Sequence, residues 1–131
     1  MTDEQLIAAA EALAGHRDVS GTVTAGGVAA ALVTEEGSLF TGVCIDTACS
    51  LGFCAEHAAI AAMITAGQHR IATIVAVGDG GRGVVSPCGR CREFISQLGA
   101  PTRVLLPGNR SAQIDALLPE PWQRLNREEV A

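Results

Sequence analysis

Lysine is absent from the chain, so all nine basic residues are arginines, and fourteen carboxylates outnumber them for a formal charge of −5. A protein that grips a nucleic-acid backbone needs a basic face to displace counterions, and this composition argues against that class. No nucleic-acid polymer is expected as a partner. Long apolar runs are missing too. Ala58 to Ile64, and Ile71 to Val77 with its one threonine, fall well short of the roughly 20 residues that cross a bilayer. No membrane partner is expected. Asp3 and Glu4 stand where a secretory leader would be cationic, so the expected location is cytoplasmic. There is no internal repeat and no low-complexity linker, and 131 residues read as one domain, 1–131, at roughly 100 to 200 residues per domain. The polar stretch 123–131 reads as a frayed tail. Aromatic side chains are scarce: Phe40, Phe53, Phe94 and Trp122 are all there is for stacking.

What is present belongs to a globular protein. Hydrophobic residues make up 48% and charged ones 18%, far from the signature of disorder, and a chain of this length buries enough surface for a core without a staple. Thr2 and Gln5 fit a capping box ahead of Leu6, Ala10 and Leu13, with Gly15 as the stop. Val28 to Thr34 and Leu39 to Ile45 read as a hairpin around Glu35-Glu36-Gly37-Ser38. Cys54 to Ala66 has no Gly or Pro and ends at Gly67, which predicts a buried helix. Ile71 to Val77 reads as a central strand covered on both faces. Ser86 as N-cap and Pro87 as first residue predict a helix carrying Cys91, Phe94, Ile95 and Leu98 on one face, with Cys88 and Cys91 both turned to the protein. Thr102 to Leu106 predicts a strand, and Ser111 a cap for a short helix through Leu118.

Five cysteines, an odd number, fit reduced thiols or metal ligands better than a disulfide framework. Two segments carry the chemistry: Cys54-Ala55-Glu56 at the start of one predicted helix, and Pro87-Cys88-Gly89-Arg90-Cys91 at the start of another. Cys88 and Cys91, at i and i+3, share a helix face and can grip one ion with Cys54 arriving from elsewhere. Three protein ligands plus water is the arrangement of a catalytic zinc. Helix starts favour thiolates through their free amides and the macrodipole. Glu56, two positions from a ligand, is placed to reach the metal's water as general base and then acid. Arg90, Arg92 and His57 are candidates to donate to the sulfurs and restore the ion's strength as a Lewis acid. For each of the three a solvated or merely satisfied side chain is the plainer alternative.

These segments resemble the cytidine deaminase family, whose zinc signature is His or Cys-x-Glu followed by Pro-Cys-x-x-Cys. The similarity extends to Phe40-Thr41-Gly42, to Arg82-Gly83-Val84-Val85-Ser86 and to Leu117-Leu118-Pro119, and the run from Arg82 to Arg92 is similar to blasticidin S deaminases. The resemblance implies a three-layer α/β/α sandwich with a mixed sheet of about five strands, one Zn2+ per subunit on Cys54, Cys88 and Cys91, and Glu56 as proton shuttle. It also implies a small-molecule aminopyrimidine substrate that loses ammonia by hydrolysis, and a homo-oligomer, in this family a tetramer. Ala55 and Ser86 are then expected to offer backbone groups to the base, and Trp122 to supply a terminal aromatic over the substrate.

The pocket departs from the family pattern. Cys44 and Asp46 stand where relatives carry Asn and Glu for the ribose hydroxyls, and Thr24 to Val28 lacks their aromatic. A thiol cannot both donate and accept as an amide does, which raises a nucleoside antibiotic or a free or modified base as the alternative substrate. A structural-zinc protein that catalyses nothing is the rival of another class; it requires a fourth ligand such as Cys44, Cys49 or His57.

Overall fold

The computed structural model describes residues 1–122. Along the chain run α1 (Asp3–Glu11), β1 (Arg17–Asp18), β2 (Val23–Thr34), β3 (Leu39–Thr47), α2 (Ala55–Thr65), β4 (Ile71–Gly78), β5 (Gly83–Val85), α3 (Gly89–Gln97), β6 (Arg103–Leu106), β7 (Arg110–Gln113) and α4 (Ile114–Leu117), with a 3-10 turn at Ala48–Ser50. The strands form one mixed sheet in the order β1-β2-β4-β6-β7, with β3 on β2 and β5 on β4. Only β4 and β6 run parallel; the other pairs are antiparallel.

Alternation along the strands splits the core into two layers. Ala30, Leu32, Ile74, Val104 and Leu106 face one way and pack with Ile60 and Met63 of α2, Ile95 of α3 and Ile114 of α4. Ala31, Val75, Val77 and Leu105 face the other way, onto Leu6 and Ala10 of α1. Helices therefore cover both faces, and the three-layer arrangement expected from the sequence is observed. The sheet has seven strands rather than about five. Beyond the four strands read from residue patterns stand the two-residue β1, the three-residue β5 and the four-residue β7, too short to leave a periodic pattern.

α1 starts as expected: Gln5 N–H donates to Thr2 Oγ1 at 3.1 Å, and Thr2 N–H donates to Gln5 Oε1 at 2.9 Å. The start of α3 is a correction, because the N-cap is Cys88 rather than Ser86. Residues 110–113 pair with β6 as β7, so the last helix begins at Ile114 with Gln113 as N-cap, not at Ser111. Ser111 is drawn into register opposite Leu105.

Two glycines shape the strands next to the cysteine-bearing helix starts. Gly42 of β3 meets α2 so closely that a Cβ there would lie 2.5 Å from Ala58 Cβ and 2.6 Å from Ala59 N; its absence lets the start of α2 settle onto the sheet. Gly26, at φ +90°, carries a β2 bulge where any side chain would strike the Gly15 carbonyl.

Candidate metal centre and active site

Cys54 is the N-cap of α2 and Cys88 the N-cap of α3, so both sulfurs emerge where backbone amides have no helical partner. Cys91 is one turn into α3 and fully buried. The three sulfurs meet: Cys54 Sγ lies 3.6 Å from Cys88 Sγ, and Cys88 Sγ 3.5 Å from Cys91 Sγ. The edge of a tetrahedron with zinc–sulfur bonds of about 2.3 Å is about 3.8 Å, so the spacing fits one zinc ion with little movement. His57 Nδ1 is 3.5 Å from Cys91 Sγ, and the donor atoms of Cys54, His57 and Cys91 lie within 4.8 Å of one another. Two donor sets are thus assembled, three sulfurs or two sulfurs with an imidazole.

The three sulfurs differ in their electrostatics. Burial, the neighbouring Glu56 carboxylate and the hydrogen bond to Cys88 push the Cys91 thiol far up. Burial, the Cys88 thiol and Glu56 raise Cys54 against an opposing contribution from Cys91. Cys88 behaves differently: burial alone would raise it, but the backbone amides of Cys91 and Arg90 and the thiols of Cys91 and Cys54 donate to it and bring it below its ordinary value. A divalent ion held among the sulfurs would favour the ionised form of all three.

Glu56 is buried, 4% exposed. Burial raises its carboxyl above the ordinary value, while its own backbone amide and the Cys91 thiol pull it down. Glu56 lines the same cavity as Cys54 and Cys88. His57 packs its ring against Phe94, with centroids 4.9 Å apart, and burial followed by the charge of Arg90 lowers its pKa.

In front of the cluster opens a cavity of about 630 Å³, lined by the Gly27–Val28 bulge, the end of β3, the start of α2 and the loop into α3. Cys44, Asp46, Ala55, Ser86 and Arg90 line it together with Cys54, Glu56 and Cys88. Cys44 Sγ accepts from Val28 N–H at 3.3 Å. Cys88 is exposed toward this space, a departure from the expectation that both cysteines of α3 are turned into the protein. Moving the cap from Ser86 to Cys88 places that residue outside the first turn.

Two expected residues lie elsewhere. Arg92 is committed to carbonyls, Nε to Pro87 O at 2.9 Å and Nη1 to Leu117 O at 3.3 Å; it ties α4 to the loop before α3, and the structure gives it no sulfur contact. Trp122 is 78% exposed and is not among the cavity-lining residues, and its backbone N–H donates to Glu93 Oε1 at 2.9 Å. The expected frayed stretch 123–131 lies outside the described residues. Sequence reasoning passed over Gly27 and Arg82 as cavity residues. The Gly26-Gly27 pair inside an apolar strand was the available signal, since glycine there marks a bulge or a close approach.

Residues 1–106 match the family model of the cytidine and deoxycytidylate deaminase zinc-binding region. The chain belongs to this family. Zinc is its cofactor, and the enzyme is a zinc-dependent hydrolytic deaminase. A cytidine deaminase of Mycobacterium tuberculosis is 31% identical over 94 residues, 71% of this chain and 70% of that one. A blasticidin-S deaminase of Bacillus cereus is 35% identical over 108 residues, 74% of this chain and 77% of the relative. Among solved structures, cytidine deaminase from Burkholderia pseudomallei superposes with a TM-score of 0.75 at 34% identity, covering 93% of this chain and 100% of that one. The Mycobacterium tuberculosis enzyme gives 0.77 at 28% identity, covering 93% and 98%. Among the described residues of this deaminase no helix is long and apolar enough to cross a membrane.

Proposed function

We propose that Cys54, Cys88 and Cys91 hold the zinc and that Glu56 carries protons in the hydrolysis of an exocyclic amine on a cytosine-type nucleoside. One observation carries this reading. Three sulfurs, 3.5–3.6 Å apart along two edges, stand with the buried Glu56 carboxyl at a cavity large enough for a nucleoside. When bound, zinc supplies the Lewis acidity that makes water a nucleophile at neutral pH.

The remaining steps belong to the chain. Glu56 takes the proton of the attacking water, delivers it to the ring nitrogen as the adjacent carbon becomes tetrahedral, and passes another to the departing amine. Water enters, ammonia leaves and a carbonyl remains. A carboxyl held out of bulk water is placed to act as base and then acid. Backbone groups of Ala55 and Ser86, both on the cavity wall, hold the base. His57 gives its N–H to Cys91 Sγ from the protein side and draws charge from the sulfur, which strengthens the ion; it is a donor to the site and not a fourth ligand. Arg90, at the cavity wall, acts through charge.

Cys44 and Asp46 sustain a second reading within the same chemistry. With its sulfur already accepting the Val28 N–H, Cys44 offers substrate only a weak donor, which favours a nucleoside whose sugar differs from ribose. Ammonia release over cytidine, deoxycytidine, blasticidin S and free cytosine separates the two. Cytidine or deoxycytidine as the best substrate supports the first reading, and blasticidin S or a free base the second.

The same reading makes the enzyme a homo-oligomer, with a tetramer expected. α2 leaves Ala61, Ala62 and Ile64 exposed opposite its buried face, and a helix apolar all round calls for cover on both sides. A cytoplasmic location is supported by five unpaired cysteines, since thiols persist in reducing compartments. Light scattering on the purified protein tests the assembly.

A further inference from the structure

We propose that Arg82 is a positioning residue of the substrate cavity, fixing its Gly27–Val28 wall through Asp79; the proposal rests on the deaminase reading of that cavity. Between the pairs Ala25↔Ile45 and Ala29↔Val43 the β2 strand carries more residues than β3, so the ladder is broken at Gly26, Gly27 and Val28. The pairing of β2 with β4 begins only at Val28↔Gly78. The Gly27 carbonyl therefore has no strand partner, and a polar group left so is costly. Two donors from the β4–β5 turn satisfy it: Asp79 N–H at 2.9 Å and Arg82 Nη2 at 2.6 Å.

The guanidinium is itself held. Arg82 Nη2 also donates to Asp79 Oδ1 at 3.0 Å, and Nε to Asp79 O at 3.3 Å. Asp79 Oδ2 accepts the His16 N–H at 3.1 Å, which ties the turn to the segment after α1. Gly78 has no side chain where the guanidinium crosses; a Cβ there would lie 2.8 Å from Arg82 Nε. A charged donor on a carbonyl is among the stronger hydrogen bonds, and this one acts on the residue preceding Val28, whose amide donates to Cys44 Sγ. Arg82, Gly27, Val28 and Cys44 all line the cavity. The sulfurs come from α2 and α3, elements that this network does not touch. Arg82 thus sets where the substrate lies and leaves the metal and the proton shuttle alone.

The test compares zinc-loaded wild type with Arg82→Ala, Arg82→Lys and Asp79→Asn, well below their melting temperatures. Ammonia release from cytidine, zinc content, and iodoacetamide alkylation of Cys44 followed by peptide mass spectrometry are measured. Arg82→Ala is expected to raise KM about tenfold with kcat within about twofold, to keep its zinc and to alkylate faster at Cys44; Arg82→Lys recovers part of both effects. An unchanged KM and alkylation rate in the folded Arg82→Ala variant overturns the proposal, as does a loss of kcat or zinc without a change in KM. Should Arg82→Ala fail to fold, Asp79→Asn and Arg82→Lys are read by the same criteria. If wild type releases no ammonia from cytidine, the deaminase reading fails on that substrate, and the alkylation arm still decides whether Arg82 holds the wall.

Discussion

Cys54 Sγ and Cys88 Sγ, 34 positions apart in the chain, stand 3.6 Å apart at the starts of two different helices. Each is an N-cap without a side-chain capping bond, so on the proposed assignment the place that ordinarily stabilises a helix start is given to a metal ligand. An ion held there would join two helices, and its removal should be felt in stability as well as in chemistry.

Cys88→Ala is expected to lose zinc and to melt at a lower temperature, while His57→Ala keeps one zinc per chain and loses only part of its rate. Metal binding to the native state contributes about 2.7 kcal/mol when free zinc stands 100-fold above its dissociation constant. Titration with a chelator should therefore bring the wild-type melting curve down to that of Cys88→Ala. Zinc analysis after desalting checks the assignment, and a metal-free His57→Ala contradicts it.

Glu56 has a second, thermodynamic signature in metal-free protein. Burial raises its carboxyl above the ordinary 4.5, so the native chain binds that proton more tightly than the unfolded chain does. The associated stability is fully present below that ordinary value and is lost as pH rises through the raised native one. Metal-free Glu56→Gln should melt above metal-free wild type at pH 8, and the two should converge near pH 4. Identical curves at both values would mean that the carboxyl is solvated.

At the other face, Arg103 Nη1 donates to Asp3 Oδ2 at 3.0 Å, Nη2 bonds Oδ1, and these bonds hold the Asp3 carboxyl below its ordinary 3.8. The native chain binds this proton less tightly than the unfolded one, so the contribution is present above about pH 4 and is lost as pH falls through the lower native value. Both side chains are more than a third exposed, and the pair is worth about 0.2–1 kcal/mol. Asp3→Asn should melt slightly below wild type at pH 6, with the gap closing in acid. A gap that widens in acid contradicts the pairing.

Gly42→Ala should cost about 1–3 kcal/mol, because its Cβ would enter the space held by Ala58 and Ala59 and push out the start of α2. Denaturant melts measure the loss. Since Cys54 and Glu56 ride on that helix start, activity should fall beyond what the unfolded fraction explains.

Much of the molecule was legible in its residues, for physical reasons. The capping box at Thr2, the apolar run from Ile71 and the unbroken helix formers after Cys54 are local signals, and local energetics decide those elements. The convergence of the Cys54, Cys88 and Cys91 sulfurs was legible because a metal demands particular atoms at particular spacings. What escaped depends on partners distant in the chain. β5 and β7 exist because β4 and β6 offer them edges, and Arg92 serves two carbonyls that no sequence spacing brings to it. Arg82 reads as a loop charge until the broken ladder at Gly27 is seen.

The most direct test of the zinc and Glu56 assignment is ammonia release by zinc-loaded wild type and Glu56→Gln on cytidine, with zinc quantified in the same samples. Stoichiometric ammonia is predicted from wild type and a loss of at least about 100-fold in the variant, with one zinc per chain in both. Equal rates from the two proteins would contradict the assignment.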